Sequence, residues 1–319
     1  MAPGLHASRH LWGALGGLAL LAAVPTLLPG YHTSLATEIL IFAVLAMSID
    51  ILAGFAGRTP LCHGAIFGVA TYVVLYYVTV EQGNPWAGVL LGIGAATLTA
   101  VVFALLAIRT SGVYFLLLTL ALGMVVWGVC NRWTSVTGGE NGIRGSIRPE
   151  WLAGQENLYY FVLAAAALAA LGMWRFVRSP FGLTLCGIRE SETRMRALGY
   201  NVPLHLFIGF VVSGFFAGVA GALYAFFNSF VSPSTVALAQ SVEGLLMAIV
   251  GGVGTLFGGL VGAFLVIALE NVVSAWTERW SMALGLMFVF TMIFAPEGVL
   301  GKFRAVLERR NQSKHPGNT

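Results

Sequence analysis

Four acidic side chains lie within or beside long apolar stretches of this chain. Asp50, Glu243 and Glu270 fall inside apolar runs, and Glu38 lies nearer the edge of one. Ionisable groups at membrane depth are costly, and they commonly line the path of an ion or polar solute. Each can instead form a buried hydrogen bond to a neighbouring helix or a partner protein. Both interpretations stay open for Asp50 and Glu243, whereas the position of Glu270 near a helix end favours a hydrogen bond.

The residue patterns that catalysis would need are absent from the sequence. Neither the metalloprotease motif H-E-x-x-H nor the P-loop G-x-x-x-x-G-K-[ST] occurs. Asp50 and Glu243 form the only candidate acid–base pair, and nothing in the sequence places them together. Cys62, Cys130 and Cys186 form no C-x-x-C pair, so neither a disulfide framework nor a zinc site is indicated. We therefore predict no catalytic residue, metal or other cofactor, and any active work must draw its energy from elsewhere.

One polar, charged stretch, RSPFGLTLCGIRESETRMRALGYNV at 178–202, stands between long apolar runs. Ser179 and Pro180 fit the N-cap and the first position of a helix. We predict a helix-loop-helix lying on the membrane surface, in which the pattern from Leu183 to Leu198 is helical and Gly199 fits a helix C-terminus.

The predicted helix is amphipathic, and Gly182 would allow a tight bend before it. Spacings of three and four residues place two sets of side chains on separate faces: Leu185, Ile188, Met195 and Leu198 on an apolar ridge, and Arg189, Glu192 and Arg196 on a charged face. Such a helix fits a partner protein in the cytoplasm. The alternative is an ordinary positively charged loop whose arginines meet anionic lipid.

Membrane helices must position these residues, because the 319-residue chain is 58% hydrophobic and only 9% charged. A spanning helix needs about 20 apolar residues. Ten candidate runs occur, at 11–29, 35–54, 64–80, 86–108, 112–130, 158–177, 205–229, 237–252, 254–275 and 281–296. Those at 64–80, 237–252 and 281–296 are short, which predicts tilted, broken or re-entrant segments. The predicted fold is all-α: one polytopic integral membrane domain over 1–319, with about 8–10 transmembrane helices and Gly-rich broken or re-entrant segments.

Positive charges predict the orientation of these helices. With a cytoplasmic N-terminus, ten spans return the C-terminus to the cytoplasm, and the basic residues of 178–204 and 298–319 lie inside. Residues 131–157, in which basic and acidic residues are balanced, form a loop on the periplasmic side. The net charge of +4 is therefore explained by topology and membrane lipid, and no nucleic-acid partner is predicted.

Two glycine-rich stretches interrupt the apolar runs: GFAGRTPLCHGAIFG at 54–68, the first hinge, and GGVGTLFGGLVG at 251–262, the second hinge. Interrupted helices mark the substrate path in many transporters. Glycines also permit close helix packing in membranes. Both interpretations stay open.

The charged stretch resembles the cytoplasmic coupling loop of permeases in branched-chain amino acid ABC importers, the LivM-like family. The family pattern is approximately S-P-x-G-R-x-L-x-A-I-R-E-x-E-x-x-A-x-x-L-G. Four further stretches are similar to family motifs and follow in the family's order: LAGFAGRTPLCHGAIFGVATYV, SGVYFLLLTLALG, TGGENGIRG and GGVGTLFGG. Together they cover most of the chain.

The resemblance implies a permease subunit in the bacterial inner membrane that moves branched-chain or related amino acids. Its expected partners are a second, LivH-like permease or another copy of itself, two cytoplasmic ATPase subunits and a periplasmic binding protein. Residues matching the loop that contacts the ATPase are Gly182, Leu185, Ile188, Arg189, Glu190, Glu192, Ala197, Leu198 and Gly199. Residues expected in the translocation path or gate are Asp50, Gly54, Gly57, Arg58, His63, Tyr114, Thr119, Glu243, Gly251 and Gly254.

Departures from the family pattern leave the substrate open. Arg58, Pro60 and Cys62 stand where the family usually has Gln, Ser and Gly. A fixed cation at Arg58, near the cytoplasmic end of the pathway, would change what passes. His63 matches the family's histidine, and a packing hydrogen bond is favoured over a role in the gate. Alternatives are a permease for urea or short amides, a self-contained secondary transporter, and a structural membrane subunit.

Overall fold

The computed structural model describes residues 21–27, 30–276, 280–294, 298–299 and 301. The run expected at 11–29 and the tail at 298–319 therefore lie mostly outside the described residues, apart from a helical turn at Val24–Leu27. The principal helices are α1 Tyr31–Asp50, α2 His63–Thr79, α3 Pro85–Ala107, α4 Val113–Arg132, α5 Gln155–Val177, α6 Pro180–Glu190, α7 Glu192–Ala197, α8 Val202–Asn228, α9 Leu238–Gly251, α10 Gly258–Ser274 and α11 Trp280–Phe294.

Each of the nine apolar runs predicted between residues 35 and 296 coincides with a helix. Within the described residues, five helices are long and apolar enough to cross a membrane: Tyr31–Phe55, α3, α4, α5 and α8. The prediction of an all-α polytopic membrane protein is confirmed.

The remaining apolar helices are shorter. Helix α2 has 17 residues and α9 has 14, which at 1.5 Å per residue makes them about 26 and 21 Å long. Helix α10 begins at Gly258 rather than at 254. The chain cannot be helical just before it, because Gly252, Gly254 and Leu256 have φ angles of 122°, 82° and 54°. Helices α9 and α10 thus form a hairpin around an irregular turn.

Helix α1 occupies the centre of the molecule. Every residue from Leu40 to Asp50 is buried, because α1 packs against α5, α8, α9 and α10. A π-helical turn, Ile51–Phe55, continues it, and the last two residues of that turn begin the first hinge. By contrast, α3 and α4 leave large apolar side chains such as Leu90 and Val125 exposed, as helices facing lipid do.

Small residues let α8 approach its neighbours closely. A Cβ at Gly221 would overlap the Phe67 carbonyl oxygen of α2, and a Cβ at Gly214 would overlap Ala100 of α3. Apolar side chains gain little by leaving lipid for a protein interior, so close backbone packing stabilises such contacts.

The loop between α4 and α5 is ordered by contacts with the end of α8. A two-stranded antiparallel sheet pairs β1, Ile143–Arg144, with β2, Phe230–Val231. Arg148 donates from Nε to the Phe226 carbonyl oxygen at 2.7 Å and from Nη2 to that of Phe227. Burial lowers the pKa of Arg148. Its cation lies at the C-terminal, electronegative end of α8.

Replacing Gly221 by alanine should destabilise the protein, because the new Cβ meets a backbone carbonyl that cannot rotate away. Overpacking of this kind costs about 1–3 kcal/mol. Thermal unfolding of the purified protein in detergent measures the effect as a lower Tm. Gly128→Ala on α4 is the matched control, since nothing lies within 4 Å of a Cβ there. Equal Tm values for the two variants would contradict the close packing of α8 on α2.

Candidate functional site where both hinges meet the charged helices

Asp50, at the C-terminal end of α1, binds the second hinge. Its Oδ1 accepts a hydrogen bond from the Gly254 amide at 2.7 Å, and its Oδ2 accepts one from the Leu256 amide at 2.9 Å. The side chain is 1% exposed. The positive φ angles of the turn present these amides to the carboxylate, so Asp50 accepts from two N–H groups that lie between α9 and α10.

The two glycine hinges touch at this point. A Cβ at Gly54 would overlap both the Gly254 amide and a carboxylate oxygen of Asp50, so only glycine fits. Gly251 is equally close to the Gly258 carbonyl. The glycines at 54, 251 and 254, predicted to lie in a path or gate, therefore sit in tight backbone contacts.

Arg189 joins the charged stretch to the first hinge. Its Nη1 donates a hydrogen bond to the Gly54 carbonyl oxygen. Its side chain also crosses Gly57, whose φ is 67° and whose Cβ, if present, would lie 2.7 Å from the Arg189 Cγ. Arg189, which the family resemblance placed in the loop that contacts the ATPase, therefore makes contacts within this chain.

Arg58 and Glu192 form a second connection between the same two segments. The Nη2 of Arg58 lies 3.0 Å from Oε2 of Glu192, while Nη2 of Arg196 lies 2.9 Å from the other carboxylate oxygen. Arg58 also donates to the Thr110 carbonyl oxygen, and its guanidinium carbon is 5.9 Å from the ring centre of Phe115. Arg58 is only 8% exposed.

The charged stretch forms two helices, but they separate at Ser191 and not at the bend predicted at Gly182, which corrects the helical pattern predicted from Leu183 to Leu198. Helix α6 ends at Glu190 and α7 begins at Glu192, because Ser191 is extended, with φ of −161° and ψ of 101°. The Ser191 hydroxyl accepts a hydrogen bond from the Arg194 amide at 3.3 Å and so caps α7. A serine cap competes with helix continuation.

The predicted apolar ridge is divided by this break. Leu185 and Ile188 are buried against the chain itself, whereas Leu198 is 66% exposed. The prediction that these residues share one face with Met195 is therefore wrong. Glu190 and Ala197 are exposed, and Gly199 has a φ of 88°, as expected for a residue that follows a helix end.

Gly182 does not form the predicted bend. It lies in the first turn of α6, where its amide donates to the Ser179 Oγ at 3.3 Å. A Cβ at this position would overlap the Val177 carbonyl oxygen. Glycine is needed there because the end of α5 approaches the start of α6 closely.

The remaining predicted site residues occupy different environments. His63 is fully buried, with Nε2 2.6 Å from the Ser213 Oγ, and Ser213 donates in turn to the Ser48 carbonyl oxygen. Thr119 accepts a hydrogen bond from the Leu61 amide at 3.1 Å, which ties α4 to the first hinge. Tyr114 is 76% exposed and lies away from these contacts.

Glu243 does not pair with Asp50. It lies on α9, where its charge interacts with those of Glu270 on α10 and Glu38 on α1. Tyr224 of α8 faces the same three carboxylates. The acidic residues singled out in the sequence thus divide into Asp50 at the hinges and a separate group of three.

Sequence reasoning missed the small polar residues that complete the site. Ser213 bonds to His63, and Ser241 of α9 accepts a hydrogen bond from the Gly64 amide at 2.9 Å. Serines within apolar helices are a signal that could have found them, since such side chains hydrogen-bond across helices.

The thiols near the site have little nucleophilic character. Burial raises the pKa of the Cys62 thiol. Burial also raises the pKa of Cys186, although the nearby charge of Arg189 acts in the opposite direction. Both thiols stay protonated at neutral pH, and a thiolate is the reactive form.

A small cavity lies beside Arg58. Its volume is about 10 Å³, and it is lined by Leu52, Ile108, Thr110, Phe115, Leu206 and Phe210. A volume of that size holds about one water molecule. This cavity is therefore too small for an organic solute.

Comparison with known proteins identifies similar sequences. A family model described as "Branched-chain amino acid transport system / permease component" matches residues 31–295. The high-affinity branched-chain amino acid transport system permease protein LivM of Escherichia coli (strain K12) is 26% identical over 327 residues, covering 92% of this chain and 76% of that protein. The guanosine ABC transporter permease protein NupQ of Bacillus subtilis is 33% identical over 69 residues, 22% of each chain. No solved structure matches.

Removal of the Asp50 carboxylate should loosen the second hinge. Asp50→Ala leaves the Gly254 and Leu256 amides without their acceptor, at a cost of about 1–3 kcal/mol for each unsatisfied buried group. Hydrogen exchange, followed by mass spectrometry, should show faster exchange in residues 252–257. Glu243→Gln is the control, because that side chain lies in the separate acidic group. Unchanged protection of 252–257 in Asp50→Ala would contradict the assignment.

Proposed function

This chain belongs to the family of branched-chain amino acid transport permeases, and from that membership we propose that it is the membrane subunit of an ATP-driven importer. Its substrates would be branched-chain or related amino acids crossing the bacterial inner membrane. Two separate ATPase subunits would supply the energy, a periplasmic binding protein would deliver the substrate, and a LivH-like permease or a second copy would complete the pore. The chain itself would perform transport rather than catalysis.

The observation that carries this proposal is the attachment of the charged helices to the first hinge, which itself contacts the second hinge. Arg189 of α6 binds the Gly54 carbonyl, and Glu192 of α7 binds Arg58, whereas Asp50 holds the second hinge against α1. A displacement of α6 and α7 would therefore move the first hinge at the point where it contacts the second hinge. Such a mechanical connection suits a protein whose motor is a separate subunit.

The exposed side of the helix pair fits a protein partner. Leu183 and Leu198 are each 66% exposed and Tyr200 is 45% exposed, all within the charged stretch. Exposed basic and acidic side chains, including Arg194 and Glu190, belong to the same stretch. Exposed apolar side chains with a polar rim are typical of interaction sites. We assign this surface to the ATPase.

Purification from native membranes tests the importer assignment. We expect an ATPase and a second permease to co-purify, and the ligand of the associated binding protein would then identify the substrate. That ligand screen should include nucleosides, because a guanosine permease is among the relatives. Isolation of the chain alone, together with solute uptake driven by an ion gradient, would instead establish a secondary transporter.

Leu198→Glu should release the ATPase while the membrane domain stays folded. A charge at an apolar anchor of an interface should reduce the amount of bound ATPase about tenfold or more. Quantitative co-purification measures this, and an unchanged Tm shows that folding is intact. Val80→Glu is the control, because Val80 is also exposed but lies at the opposite end of α2 from the first hinge. Gly182 and Arg189 are unsuitable positions, since both contact the chain itself. Full retention of the ATPase by Leu198→Glu would refute the docking surface.

The proposed orientation predicts which loops a protease reaches from each side. Trypsin added to inside-out vesicles should cleave after the exposed Arg194 or Arg196, and trypsin added to right-side-out vesicles should cleave after the exposed Arg144. Mass spectrometry of the released peptides identifies the cleaved bonds. The reverse pattern would show that the charged helices face the periplasm, where no ATPase could reach them.

A further inference from the structure

The sequence suggested that Arg58 is a fixed cation which changes what passes, but its guanidinium is buried and occupied by other groups of the chain. Glu192 neutralises the guanidinium at 3.0 Å, the Thr110 carbonyl accepts another of its N–H groups, and Phe115 covers one side. A solute at the hinge would meet an occupied, 8% exposed side chain.

The partner of Arg58 comes from outside the apolar helices. Glu192 lies 134 residues further along the chain and is the first residue of α7. Within the described part of the chain, this is the one ion pair that joins α7 to another element, since the second pair, Glu192 with Arg196, lies inside α7.

The break at Ser191 separates α7, which carries Glu192, from α6. Helix α6 is held to the first hinge by Arg189 and to α8 by its buried Leu185 and Ile188. Helix α7 has no buried residue of its own, and an extended residue separates it from α6. Met195 of α7 lies partly buried against Gly187 of α6, whereas Glu192 provides the polar contact of α7 with the first hinge.

We propose that Arg58 and Glu192 form a latch that makes the first hinge follow α7, so that Arg58 is a positioning residue rather than a selectivity element. Its role in transport rests on the proposed function, because only an ATPase bound to the helix pair would move α7. The physical link itself is a property of this chain alone.

Hydrogen exchange at the first hinge tests the link in the full-length protein, reconstituted in nanodiscs. The amides of Arg58 and Leu61 are suitable reporters, because they donate to the Leu52 carbonyl at 2.9 Å and to the Thr119 hydroxyl at 3.1 Å. Glu192→Gln should speed exchange in 56–62 about tenfold, the size expected for a lost hydrogen bond between charged groups. Arg196→Gln, the matched control, removes the other arginine on Glu192 and should change exchange by less than about twofold.

A double-mutant cycle separates the latch from two independent effects. If Arg58 and Glu192 act as a unit, the double variant Arg58→Gln/Glu192→Gln should exchange no faster than Arg58→Gln alone. Multiplicative effects in the double variant, or equal effects of Glu192→Gln and Arg196→Gln, would overturn the proposal. Exchange in α8 serves as the measure of intact folding.

A second experiment tests transmission in the complex with the co-purified ATPase. Addition of ATP and Mg²⁺ should change exchange in 56–62, and Arg58→Gln should reduce that response at least about fivefold. An equal response in Arg58→Gln would overturn the latch while the importer assignment stands. If no ATPase co-purifies, the proposed function fails, but exchange in the isolated chain still decides whether the latch exists.

Discussion

Two backbone amides of the second hinge point at the carboxylate of Asp50, and the packing around the hinges depends on that contact. The turn between α9 and α10 pairs its Thr255 and Phe257 amides with its own carbonyls, but its Gly254 and Leu256 amides donate to Asp50, and lipid would offer them no acceptor. The buried carboxylate of Asp50, at the end of the central helix, accepts hydrogen bonds from both amides. Because the Gly54 and Gly254 backbones then nearly touch, Gly54 has no space for a side chain, and Gly254 has a φ of 82° that disfavours one, so the two hinges form one unit.

Backbone contact takes the place of the hydrophobic effect throughout the apolar part of the molecule. Gly214 and Gly221 allow α8 to approach α3 and α2 closely. The His63 ring and the Ser213 hydroxyl add a hydrogen bond between α2 and α8. Such contacts depend on shape and tolerate little change. They explain why glycine is so frequent in a chain whose helices have no polar face to orient them.

At the side predicted to be cytoplasmic, contacts between segments are made by polar side chains rather than by close approach at glycines. Arg189 reaches the Gly54 carbonyl, and Glu192 holds Arg58, so the charged helices are attached through long, flexible side chains. Tight backbone contact gives rigidity within the membrane part, whereas a single ion pair connects α7 to the first hinge. That division suits a membrane subunit moved by a separate motor.

The sequence by itself determined the helices and their class. Apolar runs of sufficient length must form hydrogen-bonded helices in lipid, so composition and length predict nine described helices to within a few residues. Local signals also marked Ser179 and Gly199 as helix ends. The break at Ser191 was missed, because one serine in a helical pattern is compatible with either a cap or a helix interior. Only the tertiary structure decided that Asp50 meets Gly254 rather than Glu243, and that Arg58 is neutralised by Glu192. These partners lie more than 100 residues apart, and periodicity along one helix carries no information about which distant segment faces it.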